Sequence, residues 1–286
     1  MPLSVTATVS NQDKHLGEIY ALLFHNDKIY SAAVDGKIKI WNTDLKLETQ
    51  FQAHESAIYH IAALKDTLYS CSNDGTIQAW SLDTYKHKKT LIKYTEEEVL
   101  RLYIVDGKLY AGNDKGILTI WENDAMINQY NLVEEIRDFG VDGAFIYAVR
   151  DRDMCVHELL PGDKNKYTTR IALEGSSPLR LVGNKLCFAA RSGNNICVHE
   201  NSKKSGFKEL GVIQAHEMIL NAMCGYEDST LFSAGYDGKL KQWNLDTLQN
   251  VGTCEIGYCV NTICVGLQGQ IYVAGDNGNL NRVDNK

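Results

Sequence analysis

Asp35-Gly36-Lys37-Ile38-Lys39-Ile40-Trp41 is written again as Asp74-Gly75-Thr76-Ile77-Gln78-Ala79-Trp80 and as Asp237-Gly238-Lys239-Leu240-Lys241-Gln242-Trp243. A fourth stretch, Gly116-Ile117-Leu118-Thr119-Ile120-Trp121, keeps the strand and the tryptophan but carries its acid earlier, at Asp114. The copies fall on a period of about forty residues, and a fixed period of that length marks an array of repeated supersecondary units.

Upstream of the phrase each strong copy carries a histidine, an apolar strand and a serine. His15, Ser31, Asp35 and Trp41 are separated by sixteen, four and six residues, and His54, Ser70, Asp74 and Trp80 keep the same gaps. His216, Ser233, Asp237 and Trp243 repeat them with one extra residue in the turn at 226–230. On these twelve residues the chain resembles the WD-repeat (WD40) family of β-propellers, and the resemblance covers essentially the whole length. It implies an all-β fold in which the His, Ser, Asp and Trp of a blade are hydrogen-bonded to one another.

Counting from the strong copies locates the weak ones. Taking Ile19 and Ile58 as the first apolar residue of an inner strand predicts equivalents at Val99, Ile136, Leu179, Leu220 and Val260, all apolar. The tryptophan position then falls on Trp41, Trp80, Trp121, His157, His199, Trp243 and Val283. Seven copies follow, at about 10–51, 52–92, 93–131, 132–172, 173–213, 214–252 and 253–286, and copies three, four, five and seven lack the histidine. Short strands that are apolar on both faces cannot stay soluble alone, and stacking them around an axis buries both faces. The last copy has room for three strands only, so the strand-like segment at 2–9 is expected to supply its fourth and close the ring; an open ring would leave an unpaired edge.

The repeats use the length up, so residues 1–286 read as a single propeller with no room for a catalytic module. No basic segment followed by an apolar core opens the chain, and no apolar run approaches a membrane span, so an intracellular protein, cytoplasmic or nuclear, is expected. A net charge of -7 argues against the broad phosphate-neutralising surface of non-specific nucleic-acid binders. The densest basic cluster, Tyr85-Lys86-His87-Lys88-Lys89, sits in an outer-strand position and reads as a solvated face. The stretches at 162–166 and 201–205 read as solvated loops. Eight cysteines show no C-x-x-C spacing, so free buried thiols are expected, with no metal and no cofactor.

Three Ser-His-Asp sets invite a hydrolase reading. Nucleophilic catalysis, however, needs one exposed serine beside an oxyanion hole. Three repeated sets suit a structural network instead, and no nucleophile elbow, Walker loop or zinc-protease motif is present. Asp151 and Asp153 could in principle serve acid-base work, but alone on a turn they read as solvated. The expected function is therefore non-enzymatic: a scaffold or adaptor that holds a protein or peptide partner on its loop-rich face. Residues following the inner-strand anchors should face that rim. Tyr20, Tyr59 and Tyr236 are expected to form an aromatic wall, with Arg137 and Arg180 receiving an acidic or phosphorylated segment and Asn221 and Asn261 alongside. Glu18, Glu98 and Glu135 lie close enough to compete for those arginines. Two alternatives stay open: an RNA-binding propeller, and an obligate structural subunit of a larger multiprotein complex.

Overall fold

A computed structural model describes residues 2–94, 96–132, 134–160 and 165–285. Residues 162–164 of the loop expected at 162–166 lie outside the described residues. The strands form seven four-stranded antiparallel sheets. Six of them are consecutive in sequence, as in blade one, Ile19–His25, Lys28–Ala33, Lys37–Trp41 and Leu47–Gln52. The inner strands of blades two to six are Ile58–Leu64, Val99–Val105, Asp138–Asp142, Ser176–Val182 and Leu220–Tyr226. Blade seven joins Val260–Val265, Ile271–Gly275 and Leu280–Asn285 to the N-terminal strand Leu3–Thr8, which pairs antiparallel with Leu280–Asn285. The fold is an all-β, seven-bladed propeller closed by its first strand.

The packing follows from two-faced apolar strands. Seven hydrophobic clusters are present among the described residues, and each is built from two neighbouring blades. Between blades one and two, for example, Ile38, Ile40 and Tyr30 meet Ile58, Ile61 and Leu68. The core is therefore a ring of interfaces, which is why no blade can hold its shape alone.

The position counted as the tryptophan site pairs with the same place on its blade's second strand in all seven copies. Trp41, Trp80, Trp121, His157, His199, Trp243 and Val283 sit opposite Ile29, Leu68, Leu109, Ile146, Leu186, Leu231 and Ile271. A histidine or valine can stand there because the place is defined by the aliphatic partner and the blade interface. The polar network is an addition to it.

The Asp-Gly turn has a steric reason. Gly36 adopts φ +70°, and a Cβ on it would lie 2.2 Å from the carbonyl oxygen of His54. Its own carbonyl accepts the backbone N–H groups of Ala53 and His54 at 2.9 and 3.0 Å. The turn of one blade is thus fastened to the histidine loop of the next, and a side chain would force them apart.

Candidate functional site

In blade one the polar chain runs from the core outward. Trp41 Nε1 donates to Ser31 Oγ at 2.9 Å, Ser31 Oγ lies 2.8 Å from His15 Nε2, and His15 Nδ1 lies 3.0 Å from Asp35 Oδ1. Blade two repeats this through Trp80, Ser70, His54 and Asp74, and blade six through Trp243, Ser233, His216 and Asp237. Burial pushes the His15 and His216 pKa values down, so these rings are neutral with the Nδ1 proton directed at the carboxylate. Burial alone would raise the Asp35 carboxyl. The His15 N–H and the backbone N–H groups of Leu16 and Lys37 outweigh it and hold the group at about 2. The serines are fully buried, so none is exposed to a substrate.

The degenerate blades improvise. In blade three Trp121 Nε1 donates to Thr119 Oγ1 at 2.9 Å. The carboxylate's work is divided: Asp114 accepts the Glu98 N–H, and Asn113 accepts the N–H groups of Lys115 and Ile117. In blade four His157 bonds Thr169 at 3.0 Å, and in blade five His199 bonds the Phe207 carbonyl at 2.8 Å.

The rim depends on a backbone device. The inner strands of blades one, two, three, six and seven each carry an irregularity directly after the anchor, where Tyr20, Tyr59, Leu100, Asn221 and Asn261 are the extra residue. Such bulges re-aim a side chain. Here they turn the residue after the anchor toward the propeller axis. Tyr20 and Tyr59 lie with ring centroids 6.0 Å apart, and with Leu100, Arg101, Arg137 and Asn261 they line a cavity of about 200 Å³ at the mouth. Tyr59 donates to Glu98 at 3.1 Å. Arg137 is paired with Glu135 and Asp151, both at 3.2 Å and all three well exposed.

Beneath the mouth lies a second cavity of about 270 Å³, lined by His60, Arg101, Tyr103, Arg180, Asn221, Asn261 and the mostly apolar inner strands of blades one, six and seven, which also bring Cys224 and Cys264 to the wall. Arg101 and Asn261 line both cavities. Arg180 therefore does not stand on the rim beside Arg137, as the sequence suggested. It reaches into the axis, where its Nη1 donates to Asp138 Oδ2 and to Tyr103 Oη, each at 2.9 Å. Arg101 Nε stands 3.5 Å from Asp138 Oδ1. Burial would raise the Asp138 carboxyl, but Arg180 and Arg101 outweigh it and the group is held below the usual range. Tyr236 is exposed and lines neither cavity, although it stands near enough to Tyr20 to help raise that phenol. Sequence counting missed Arg101, Tyr103 and His60, because the bulge breaks the alternation that counting assumes, and it missed Asp138 because the inner strand of blade four pairs without that bulge.

The eight cysteines are free, five of them buried and Cys197, Cys224 and Cys259 half-buried. Among the described residues no three His, Cys, Asp or Glu side chains gather as a metal-binding group. No helix among the described residues is long and apolar enough to cross a membrane. Asp151 and Asp153 pair with neighbouring arginines. In the basic cluster Lys88 pairs with Asp66, and Lys89 donates to the Asp124 carbonyl. Asn201 is more than a loop residue: it accepts from Tyr147 and donates to Asp142 at 2.9 Å.

The family model for the WD40 repeat, described as "WD domain, G-beta repeat", matches residues 7–42, 45–81 and 207–244. The chain carries WD40 repeats on a seven-bladed propeller. The matched segments end on blades one, two and six, the three with a complete His-Ser-Asp-Trp network. The other four blades lie outside the matched segments and show themselves through packing and pairing alone. No curated protein matches this sequence. Among solved structures, the computationally designed Ika8 protein shares 17% identity, with 97% of this chain and 98% of that one covered at a TM-score of 0.71. At that identity the likeness concerns the fold alone.

Two desolvated histidines set an acid limit on this propeller. Burial, with Arg101 and Arg180 nearby, lowers the His60 pKa to about 3, and burial with Arg150 lowers that of His157 to about 4. An unfolded histidine takes up its proton near pH 6.5, so between 6.5 and about 4 the unfolded chain binds protons that the native chain refuses. Stability should fall over that window, by on the order of 1.4 kcal/mol per pH unit for each such group. Below pH 3.8 the loss should continue as Asp35 and Asp74, both held at about 2, are protonated. Urea unfolding at pH 7.5, 5.5 and 4.5 measures the slope, and His60→Gln should flatten it.

Proposed function

We propose that this WD40 propeller is a non-enzymatic adaptor that holds a protein partner at the mouth of its axis through an acidic or phosphorylated segment. WD40 propellers are commonly interaction scaffolds, which supports the coarse reading. The observation that carries the finer one is the mouth cavity, where Tyr20 and Tyr59 face Arg101 and Arg137. Aromatic side chains and arginine dominate binding hot spots because they offer large area and directed donors at modest entropic cost. The Arg137 ion pairs are solvent-exposed and therefore weak, so an incoming anion can exchange with Glu135 and Asp151. The free thiols support a reducing, intracellular setting.

Affinity capture with the intact chain beside a Tyr59→Ala, Arg137→Glu variant tests the reading. Arg137 is exposed and Tyr59 only partly buried against the cluster between blades two and three, so melting should fall little while one specific partner is lost, with affinity at least tenfold weaker for Tyr59→Ala alone. Equal capture by both would remove the mouth from consideration. A second reading, a permanent subunit using the blade sides, has one observation in its favour: Leu210, Val212 and Val251 on the outer strands of blades five and six are exposed. A partner retained by the mouth variant but lost from Val212→Lys would select it.

A further inference from the structure

Three features of the inner cavity meet at one place. First, two guanidinium groups, Arg101 and Arg180, share a single carboxylate, Asp138, which leaves one positive charge over. Second, Asp138 is wholly buried and its oxygens are already used, accepting from Arg180, Tyr103 and the backbone N–H groups of Leu179 and Phe139. It cannot neutralise both arginines. Third, His60 Nδ1 is buried against the cavity and has no hydrogen-bond partner among the described residues. A buried polar atom without a partner is uncommon and asks for an explanation.

We propose that the axial cavity beneath the mouth is a binding site for one carboxylate group, held by Arg101 and Arg180 with His60 Nδ1 as a further hydrogen-bonding partner. The charge count selects the class. A monoanion brings the cluster to neutrality, whereas a phosphate dianion would leave a buried negative charge, which is costly in a low-dielectric site. Size agrees: about 270 Å³ lies below the usual range for a drug-sized ligand and suits a small acid or one side chain. Asn221 and Asn261 add amide groups at the wall. The carboxylate can come from a free small acid or from a Glu or Asp side chain of a bound partner. Only the second source rests on the adaptor reading.

The test follows the His60 ring resonances of the intact chain by NMR, assigned with His60→Gln. Sodium acetate is titrated in against sodium chloride at matched ionic strength, then acetyl-glutamate amide against acetyl-glutamine amide, then inorganic phosphate at pH 8. Acetate and the blocked glutamate should shift His60 saturably in the millimolar range, while the glutamine analogue has no effect and phosphate binds no more tightly than acetate. A response to acetate but not to the blocked glutamate keeps the site and assigns it to free small acids. Arg101→Gln leaves the Asp138–Arg180 pair in place, so it should fold, and it should weaken acetate at least tenfold. No saturable shift, tighter phosphate, or undiminished binding by Arg101→Gln overturns the proposal. Tyr59→Ala separates the two readings: it should keep the acetate response while losing the partner, and if it keeps both, only the mouth assignment fails.

Discussion

Removing residues 2–9 should lower the melting temperature of the entire molecule by 10 °C or more, in one transition, although the segment is far from the axis. The strand Leu3–Thr8 supplies the partner edge of Leu280–Asn285, pairing from Leu3 opposite Asn285 to Thr8 opposite Asn281 with one irregularity between Val5 and Ala7. Val9 extends the pairing by donating its N–H to the Leu280 carbonyl at 3.1 Å. Leu3 is buried in the cluster between blades six and seven, and Val9 in the cluster between blades seven and one. Losing both forfeits about 3–6 kcal/mol of apolar burial, and each kilocalorie lowers melting by roughly 2–4 °C in chains somewhat smaller than this one. The exposed edge would also invite association between molecules. Differential scanning calorimetry with light scattering reads both effects. Leu3→Asp should reproduce part of the loss, and a synthetic peptide of residues 2–9 should restore part of it. Unchanged melting would mean that blade seven is stable with three strands.

The arrangement of the fold was legible because it rests on spacing. Three complete networks gave the period, and counting from Ile19 placed even His157, His199 and Val283, each of which pairs with an aliphatic residue of its neighbouring strand. Closure was legible too, since the last copy was one strand short. The axis was less so. Up to Tyr20 and Tyr59 the alternation of strand faces is a sound guide, but at those residues the chain inserts an extra residue against its partner strand. Beyond it the faces no longer follow from counting. Blade four lacks this bulge, its strand pairing regularly from Asp138 opposite Val149. For that reason the buried group there is Asp138, and Arg137 stays at the rim. The irregular and the regular blades meet around one carboxylate, which no single repeat encodes. A signal was nevertheless present: Arg101, Asp138 and His60 each stand two residues after an apolar anchor, where blades one and six carry alanine.

Asp138→Ala should therefore be the most damaging single substitution away from the tetrads. Blades three, four and five all lack the His-Ser-Asp-Trp network, and Asp138 ties them together from the inside. Its Oδ2 accepts from Arg180 and from the Leu179 N–H of blade five, and its Oδ1 accepts from Tyr103 of blade three at 3.2 Å. Truncation leaves two arginines facing each other with no counterion and takes the carboxylate acceptor from the backbone N–H groups of Leu179 and Phe139. Removing one partner of a buried ion pair costs about 3–5 kcal/mol, because the stranded charge remains. A melting temperature lower by roughly 10 °C is expected, whereas Asp35→Ala, which strands no charge and leaves a neutral histidine with the N–H groups of Leu16 and Lys37, should cost less. The diagnostic comparison is Asp138→Leu combined with Arg180→Met and Arg101→Met. If the cost of Asp138→Ala arises from stranded charge, this triple substitution should recover most of the stability while abolishing the acetate response. If it stays as unstable as Asp138→Ala, the carboxylate is needed for its hydrogen bonds to Leu179 and Tyr103, and the surplus arginine charge has no part in holding the three blades.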